Sequence, residues 1–205
     1  MKKIISVFTM AIAAICFVAC GDDAWTTDPA LEHLYYVGFY KTGTYSDALN
    51  YEVAANGTAR WRINTGAWTE TGTDGVSSDI PIQFHSERVR SYDVTTYFYV
   101  TNNAGSTLVE GTDYVVLNES GTAIGKVDGK YPLTWPQAVK GVQNVKIRRL
   151  TSTNGVLKIN TLDPANGTPS VKEEDYREST LNSKTGDYEV RGLTHDFNKV
   201  TVTFN

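Results

Sequence analysis

Residues 92–102 read YDVTTYFYVTN, and the successive large residues in this stretch fall on alternate sides of an extended chain. Phe98 and Val100 fall on one side, whereas Tyr97 and Tyr99 fall on the other. Because a β-strand points successive side chains to opposite faces of its sheet, a period of two predicts a half-buried strand. This stretch therefore indicates β-structure at the centre of the chain.

Further short segments that favour β-strands lie on both sides of this one, and several of them also alternate. They are residues 35–40, 49–53, 61–63, 114–117, 123–127, 142–150, 156–161, 187–193 and 199–204. Turn signals separate them, and Asn56-Gly57 is the strongest because Asn-Gly favours the type I′ turn, which needs positive φ at both central residues. Only residues 135–141 favour a single helical turn. About ten short strands with turns between them predict an all-β sandwich with little or no helix.

Composition supports this fold class and excludes one class of partner. The chain has 12 Tyr, 7 Phe and 4 Trp, which is aromatic usage typical of β-sheets. Its formal net charge is −4, and it becomes about −6 once residues 1–19, with Lys2 and Lys3, are removed. A phosphate backbone requires clustered cations, so we expect no nucleic-acid partner.

The first twenty residues have the layout of an export signal. Lys2 and Lys3 precede an apolar run, and Val18-Ala19 place small residues just before Cys20. A short basic start, an apolar core and a small-residue cleavage site define a secretory signal. Cys16 leaves with that signal, so Cys20 is the single cysteine of the expected mature protein.

The run Phe17-Val18-Ala19-Cys20 resembles a bacterial lipoprotein signal, and Gly21-Asp22-Asp23 resembles the acidic tether of surface lipoproteins from Bacteroidetes. The resemblance implies that Cys20 is acylated and anchors the protein in the outer membrane, exposed at the cell surface. Two or more acyl chains anchor a protein stably. An ordinary secreted protein is the alternative.

Further along, Gly111-Thr112-Asp113-Tyr114, Leu133-Thr134-Trp135 and residues 142–147 resemble motifs of Calx-β and immunoglobulin-like domains. The resemblance implies an immunoglobulin-like β-sandwich. We therefore expect a lipoprotein signal peptide at 1–19, a flexible tether at 20–33, an N-terminal β region at 34–79 and the Calx-β-like sandwich at 80–205. The two β regions form either one sandwich or two packed β subdomains.

Aromatic residues are the candidate binding groups. Trp61 and Trp68 flank a glycine-containing turn, and Tyr97 and Tyr99 share the polar face of their strand. Exposed aromatic rings stack on the apolar C–H faces of sugars, whereas most large aromatic side chains fill a core. The four residues predict a glycan site, with core packing as the alternative.

Catalytic and metal-binding patterns are not apparent. The three histidines are far apart in the sequence, and no nucleophile elbow or phosphate loop occurs. Acids such as Asp93, Glu110, Asp113 and Glu119 offer no specific pairing signal for glycoside hydrolysis. We therefore expect no metal, no cofactor and no enzymatic activity.

The sequence thus predicts a surface-anchored binding module for an extracellular glycan. The alternative is a structural or adhesin-like interaction module, or an accessory subunit of an outer-membrane complex. In that case a protein partner adds a strand to an exposed sheet edge. Residues 199–205 are the expected edge.

Overall fold

The computed structural model describes residues 31–39, 49–167, 178–193 and 197–205. Within these ranges the chain forms thirteen strands. They are β1 (Leu34–Phe39), β2 (Leu49–Val53), β3 (Ala59–Ile63), β4 (Thr69–Gly72), β5 (Ile80–His85), β6 (Val94–Asn102), β7 (Tyr114–Asn118), β8 (Tyr131–Trp135), β9 (Gly141–Arg149), β10 (Gly155–Asn160), β11 (Leu181–Lys184), β12 (Glu189–Gly192) and β13 (Lys199–Phe204).

The strands form two mixed sheets. One has six strands in the order β11-β12-β1-β5-β9-β7, and the other has seven in the order β4-β3-β2-β13-β10-β6-β8. Each sheet contains one parallel pair, β1 with β12 and β13 with β2. The all-β prediction is confirmed.

Strands from residues 34–79 pair directly with strands from residues 80–205 in both sheets. β1 lies between β12 and β5 in the six-stranded sheet, and β2 lies beside β13 in the seven-stranded sheet. His33–Asn205 accordingly form one compact unit.

The prediction that residues 199–205 form a sheet edge is wrong. β13 lies between β2 and β10 and pairs with both over most of its length. Alternation at Val200, Val202 and Phe204 was compatible with an edge or an interior strand, because both bury one face. The interior position follows from the parallel pairing with β2, which is a contact between distant segments.

A single hydrophobic core contains side chains from both sheets. Phe84 of β5 stacks on Trp135 of β8 at 5.1 Å between ring centroids, and Phe98 of β6 stacks on Tyr131 of β8 at 4.9 Å. Offset aromatic stacking at this distance adds to the stabilisation from buried area. The period-two pattern of residues 92–102 is confirmed, because Phe98 and Val100 are buried in this core.

The local turn predictions are confirmed only in part. β2 and β3 form the expected hairpin, but their loop spans residues 54–58, and only Gly57 has positive φ (+89°). The loop is therefore longer than a type I′ turn. Residues 123–127 form isolated bridges in place of a strand. The expected helical turn is a 3₁₀ turn at Pro136–Ala138 with positive φ at Gln137 and Ala138.

The predicted signal peptide and the Cys20 anchor lie outside the described residues, as does most of the tether. Among the residues that are described, no helix is long and apolar enough to cross a membrane.

Candidate functional site

Trp61 and Trp68 lie on opposite faces of the seven-stranded sheet. Trp61 is half-buried, packs against the core and lies opposite Tyr51, which is fully buried. The guanidinium groups of Arg60 and Arg62, which point away from that face, stack on the Trp68 ring at 4.7 and 4.3 Å. The two tryptophans therefore do not form one aromatic platform.

Tyr97 and Tyr99 share a face, as the alternation predicts, but their environments differ. Tyr99 is only 8% exposed, and burial followed by the nearby Asp163 carboxylate raises the pKa of its hydroxyl. Tyr97 is half-buried, and Lys130 Nζ lies 4.0 Å from the centre of its ring. Tyr99 is therefore covered, whereas Lys130 occupies one face of the half-buried Tyr97 ring.

Trp61 instead contributes to an open pocket of about 390 Å³, which we call the Trp61 pocket. Its walls come from β3, β4, the loop that joins β4 to β5, and β9. The lining residues are Trp61, Thr71, Asp74, Val76, Ser77, Ser78, Asp79 and Lys146. One aromatic side chain is thus surrounded mostly by polar groups.

The loop from Thr73 to Asp79 is held in place along its length. Gly75 N–H donates to Gly57 O at 3.0 Å, which ties the loop to the β2–β3 hairpin. Ser77 N–H donates to Ile147 O at 2.8 Å, and Ile147 N–H donates to Ser77 Oγ at 2.9 Å. The pocket wall is therefore preorganised, which lowers the entropic cost of binding.

The charged groups of the Trp61 pocket are only partly neutralised. Lys146 Nζ lies 3.3 Å from Asp79 Oδ1, and 52% of the Asp79 side chain is exposed. Asp74 Oδ1 accepts a hydrogen bond from Val76 N–H at 3.3 Å. The pocket thus holds two carboxylates and one ammonium group, with acceptor positions open to a ligand.

Ser78 is the group in this pocket that the fold leaves unsatisfied. Its Oγ is buried, and no described residue forms a hydrogen bond with it. Buried hydroxyl groups in proteins almost always have a partner, so an exception needs an explanation. Ser78 Oγ has less than 1 Å² of accessible surface, so a ligand hydroxyl in the Trp61 pocket could become that partner only after the side chain rotates.

Acids considered for glycoside hydrolysis have neutral or basic partners. Tyr131 donates its hydroxyl hydrogen to Glu110, whose other oxygen lies 2.5 Å from Lys126 Nζ. Burial raises the pKa of Tyr131, and the Glu110 carboxylate raises it further. The hydroxyl therefore stays protonated and serves as a donor.

Asp113 is buried and accepts two hydrogen bonds. Thr151 Oγ1 donates to Oδ1 at 2.7 Å, and Val109 N–H donates to Oδ2 at 2.8 Å. These donors lower the pKa of Asp113, the Thr151 bond contributing most. A carboxylate held in this way closes a turn beside β7 and is not available as a general acid.

Asp93 accepts a hydrogen bond from Gln137 N–H at 2.9 Å, and Glu119 accepts one from Asn144 Nδ2 at 3.3 Å; both lie at the surface.

His33 Nδ1 lies 2.6 Å from the Tyr92 hydroxyl oxygen. Across the described ranges, no three His, Cys, Asp or Glu side chains come close enough to hold a metal ion.

The sequence singled out one residue of the Trp61 pocket and missed the others. Residues 71–79 resemble a polar linker in the sequence, and Lys146 belongs to an ordinary alternating strand. The available signal was Asp74-Gly75, a turn dipeptide within a region of low hydrophobicity. That signal predicts a turn but not what the turn contacts.

The chain matches no protein-family model and no curated protein. Its function must therefore be argued from its own residues.

Proposed function

We propose that this protein is a surface-anchored, non-enzymatic lipoprotein whose Trp61 pocket binds an extracellular glycan. Its two-sheet domain would belong to the immunoglobulin-like and Calx-β-like sandwiches, and Cys20 would carry the lipid anchor. The observation that supports this function is a tryptophan beside a pinned loop that presents carboxylate, hydroxyl and ammonium groups.

The chemistry of the pocket matches that of a sugar. An indole ring packs against the C–H face of a pyranose, which is apolar although the ring edge is hydroxylated. Asp74 and Asp79 can accept hydrogen bonds from sugar hydroxyls, and Lys146 can donate to them. Such pockets use a few positioned polar groups to orient the ligand.

A glycan array tests this function. We expect the purified protein to bind at least one neutral glycan. The single variants Asp79→Asn and Trp61→Phe should each weaken that binding. Trp68→Phe is the matched control, because Trp68 lies on the opposite face. Absence of binding across a broad array, or equal loss in the Trp61 and Trp68 variants, would overturn the proposal.

The anchor needs a separate experiment. We expect the full chain to be found in the outer-membrane fraction and Cys20→Ala to be released into the soluble fraction. Retention of Cys20→Ala in the membrane would contradict lipidation at this position.

A protein-interaction role is the second candidate, and the edge strand β4 favours it. Among the described residues β4 pairs with β3 on one side only, and Thr69, Glu70 and Thr71 are exposed. The unpaired backbone groups of an edge can accept a strand from a partner. Thr71→Pro would remove one backbone N–H donor from this edge. Loss of a co-purifying partner in this variant would therefore support a protein-interaction role.

A further inference from the structure

A row of polar side chains crosses the outward face of the seven-stranded sheet. Neighbouring strands place these residues in direct register, from β3 through β2, β13 and β10 to β6. The row consists of Arg62, Asn50, Thr201, Lys158 and Thr101. We call it the Arg62–Lys158 row.

The outward direction of the row follows from alternation. Leu157 and Ile159 are fully buried on either side of Lys158, and Val200 and Val202 are fully buried on either side of Thr201. All members of the row are half-buried, so each side chain keeps part of its surface exposed.

The two cations of the row have no acidic partner among the described residues. Arg60, the neighbour of Arg62 on β3, pairs with Glu52 at 2.6 Å. Arg62 instead stacks on Trp68, and no described residue accepts a hydrogen bond from its buried Nε. Within the described ranges, neither Arg62 nor Lys158 is part of an ion pair. Lys130 adds a third cation, above Tyr97 on the same face.

We propose that the Arg62–Lys158 row binds an anionic polysaccharide that lies across the strands. Adjacent strands are about 4.8 Å apart, so the backbones at Arg62 and Lys158 are separated by about 14 Å. A linear polymer of acidic sugars would place carboxylate or sulfate groups at the two cations. The hydroxyl groups of Thr201 and Thr101 would face the hydroxyl groups of the polysaccharide. This site is independent of the Trp61 pocket.

An acidic polysaccharide fits this face better than a membrane or a nucleic acid does. Membrane-surface binding needs apolar side chains that enter the lipid. None of the exposed large apolar residues of the described ranges lies on β2, β3, β6, β10 or β13; they are Leu31, Tyr36, Val89, Val109, Val127, Val139, Val142 and Leu150. Nucleic-acid binding needs several neighbouring phosphates to be neutralised along one backbone, whereas the row offers two cations about 14 Å apart.

Affinity electrophoresis in gels containing polygalacturonate tests the proposal, with dextran gels as the neutral reference. We expect polygalacturonate to retard the protein and dextran not to do so. Arg62→Gln and Lys158→Gln should each raise the dissociation constant about threefold, which is the effect expected from losing one exposed charge contact. The double variant should raise it about tenfold. Added NaCl should weaken binding as well, because salt screens exposed charges.

Lys140→Gln is the matched control, because it removes one exposed charge outside this face. Circular dichroism checks that each variant is folded, and Lys158→Gln alone decides the matter should Arg62→Gln unfold. Equal weakening by Lys140→Gln, or no retardation of the wild type, would overturn the proposal. So would tighter binding to phosphatidylserine vesicles or to an oligonucleotide. Trp61→Phe should leave this retardation unchanged, which separates the row from the Trp61 pocket.

Discussion

Two polar regions adjoin the same strand, β9, and differ in how completely they are satisfied. Around Arg149 every nitrogen of the guanidinium group donates to a protein oxygen. The acceptors are Thr151 O at 2.7 Å, Val53 O and Asn205 O at 2.8 Å, Asn154 Oδ1 at 3.0 Å and Thr153 O at 3.1 Å. In the Trp61 pocket, by contrast, Ser78 Oγ has no hydrogen-bond partner in the part of the chain that the structure describes, and Asp79 is half exposed.

The degree of hydrogen-bond satisfaction distinguishes a cluster that stabilises the fold from a pocket that is a candidate binding site. Arg149 reaches from β9 of the six-stranded sheet to the ends of β2 and β13 in the other sheet, so its hydrogen bonds join the two sheets. A cluster of this kind has no capacity left for a ligand. Unused donors and acceptors in a rigid pocket cost stability, and the glycan that we propose as ligand would complete them.

The largest expected effect is on the Arg149 cluster. Arg149→Met should lower the free energy of unfolding by about 3 kcal/mol or more, because buried carbonyl groups lose charged donors. Urea denaturation monitored by tryptophan fluorescence measures the change. Arg148→Met is the control, since Arg148 is exposed on the same strand and should change stability by no more than about 0.5 kcal/mol. Similar losses in both variants would contradict the structural role of the cluster.

A smaller effect is expected at Gly57, which links the hairpin to the pocket wall. Its φ is +89°, and a Cβ there would lie 2.6 Å from Thr73 O. Gly57→Ala should cost about 2 kcal/mol and weaken glycan binding, because the loop that contains Asp74 and Ser78 must shift.

Gly121→Ala separates backbone strain from the clash at Gly57. Gly121 has a similar φ of +83° but no atom within 4 Å of the added Cβ. We expect this variant to lose only about 1 kcal/mol and to bind glycan normally. Normal glycan binding by Gly57→Ala would show that the loop does not depend on this contact.

The sequence predicted those parts of the fold that depend on neighbouring residues. The period of two around Phe98 identified a strand, and Asn56-Gly57 identified a hairpin. The interior position of β13 depends on its pairing with β2, about 150 residues away in the chain, and no local pattern specifies it.

The candidate site was predicted even less completely, for the same reason. Trp61 was identified by residue type, but the pocket exists because Ser77 and Ile147, 70 residues apart, hydrogen-bond to each other. Tyr99 has an aromatic ring on a polar face, yet it is covered and lies near Asp163 of a distant loop. Residue type indicates what a side chain can bind, whereas long-range contacts decide whether it is accessible.

The acid stability of the Arg149 region should depend on Asp113, which binds Thr151 beside Arg149. The pKa of Asp113 is lower in the folded protein than the usual 3.9 or so of an unfolded chain. Its contribution to stability is therefore present above about pH 4 and is lost as the pH falls through the folded-state value. Asp113→Asn should flatten the loss of stability that the wild type shows as the pH falls below about 4.

Asp187→Asn is the control for that measurement, since Asp187 is exposed and lies outside the cluster. Thermal unfolding at a series of pH values records both variants. A pH dependence of Asp113→Asn that matches the wild type would contradict the assignment.

The smallest effect on stability is expected at Ser78. Ser78→Ala removes a buried hydroxyl that makes no hydrogen bond within the described protein, so stability should not fall and should rise by up to about 1 kcal/mol. Glycan binding should weaken by about three- to tenfold, because one hydrogen bond to the ligand is lost. Calorimetric titration measures the second quantity. A large loss of stability together with unchanged glycan binding would contradict the binding role of Ser78 and indicate a structural one.

The most direct test of the central claim is an NMR titration of the ¹⁵N-labelled protein with a neutral glycan identified on the array. The account predicts saturable chemical-shift changes at the Trp61 indole N–H and at the backbone amides of Ser78 and Asp79. Signals of Trp68 and of Arg149 should stay unchanged. Shifts confined to Trp68, or the absence of any saturable change at Trp61, would contradict the claim that this pocket binds a glycan.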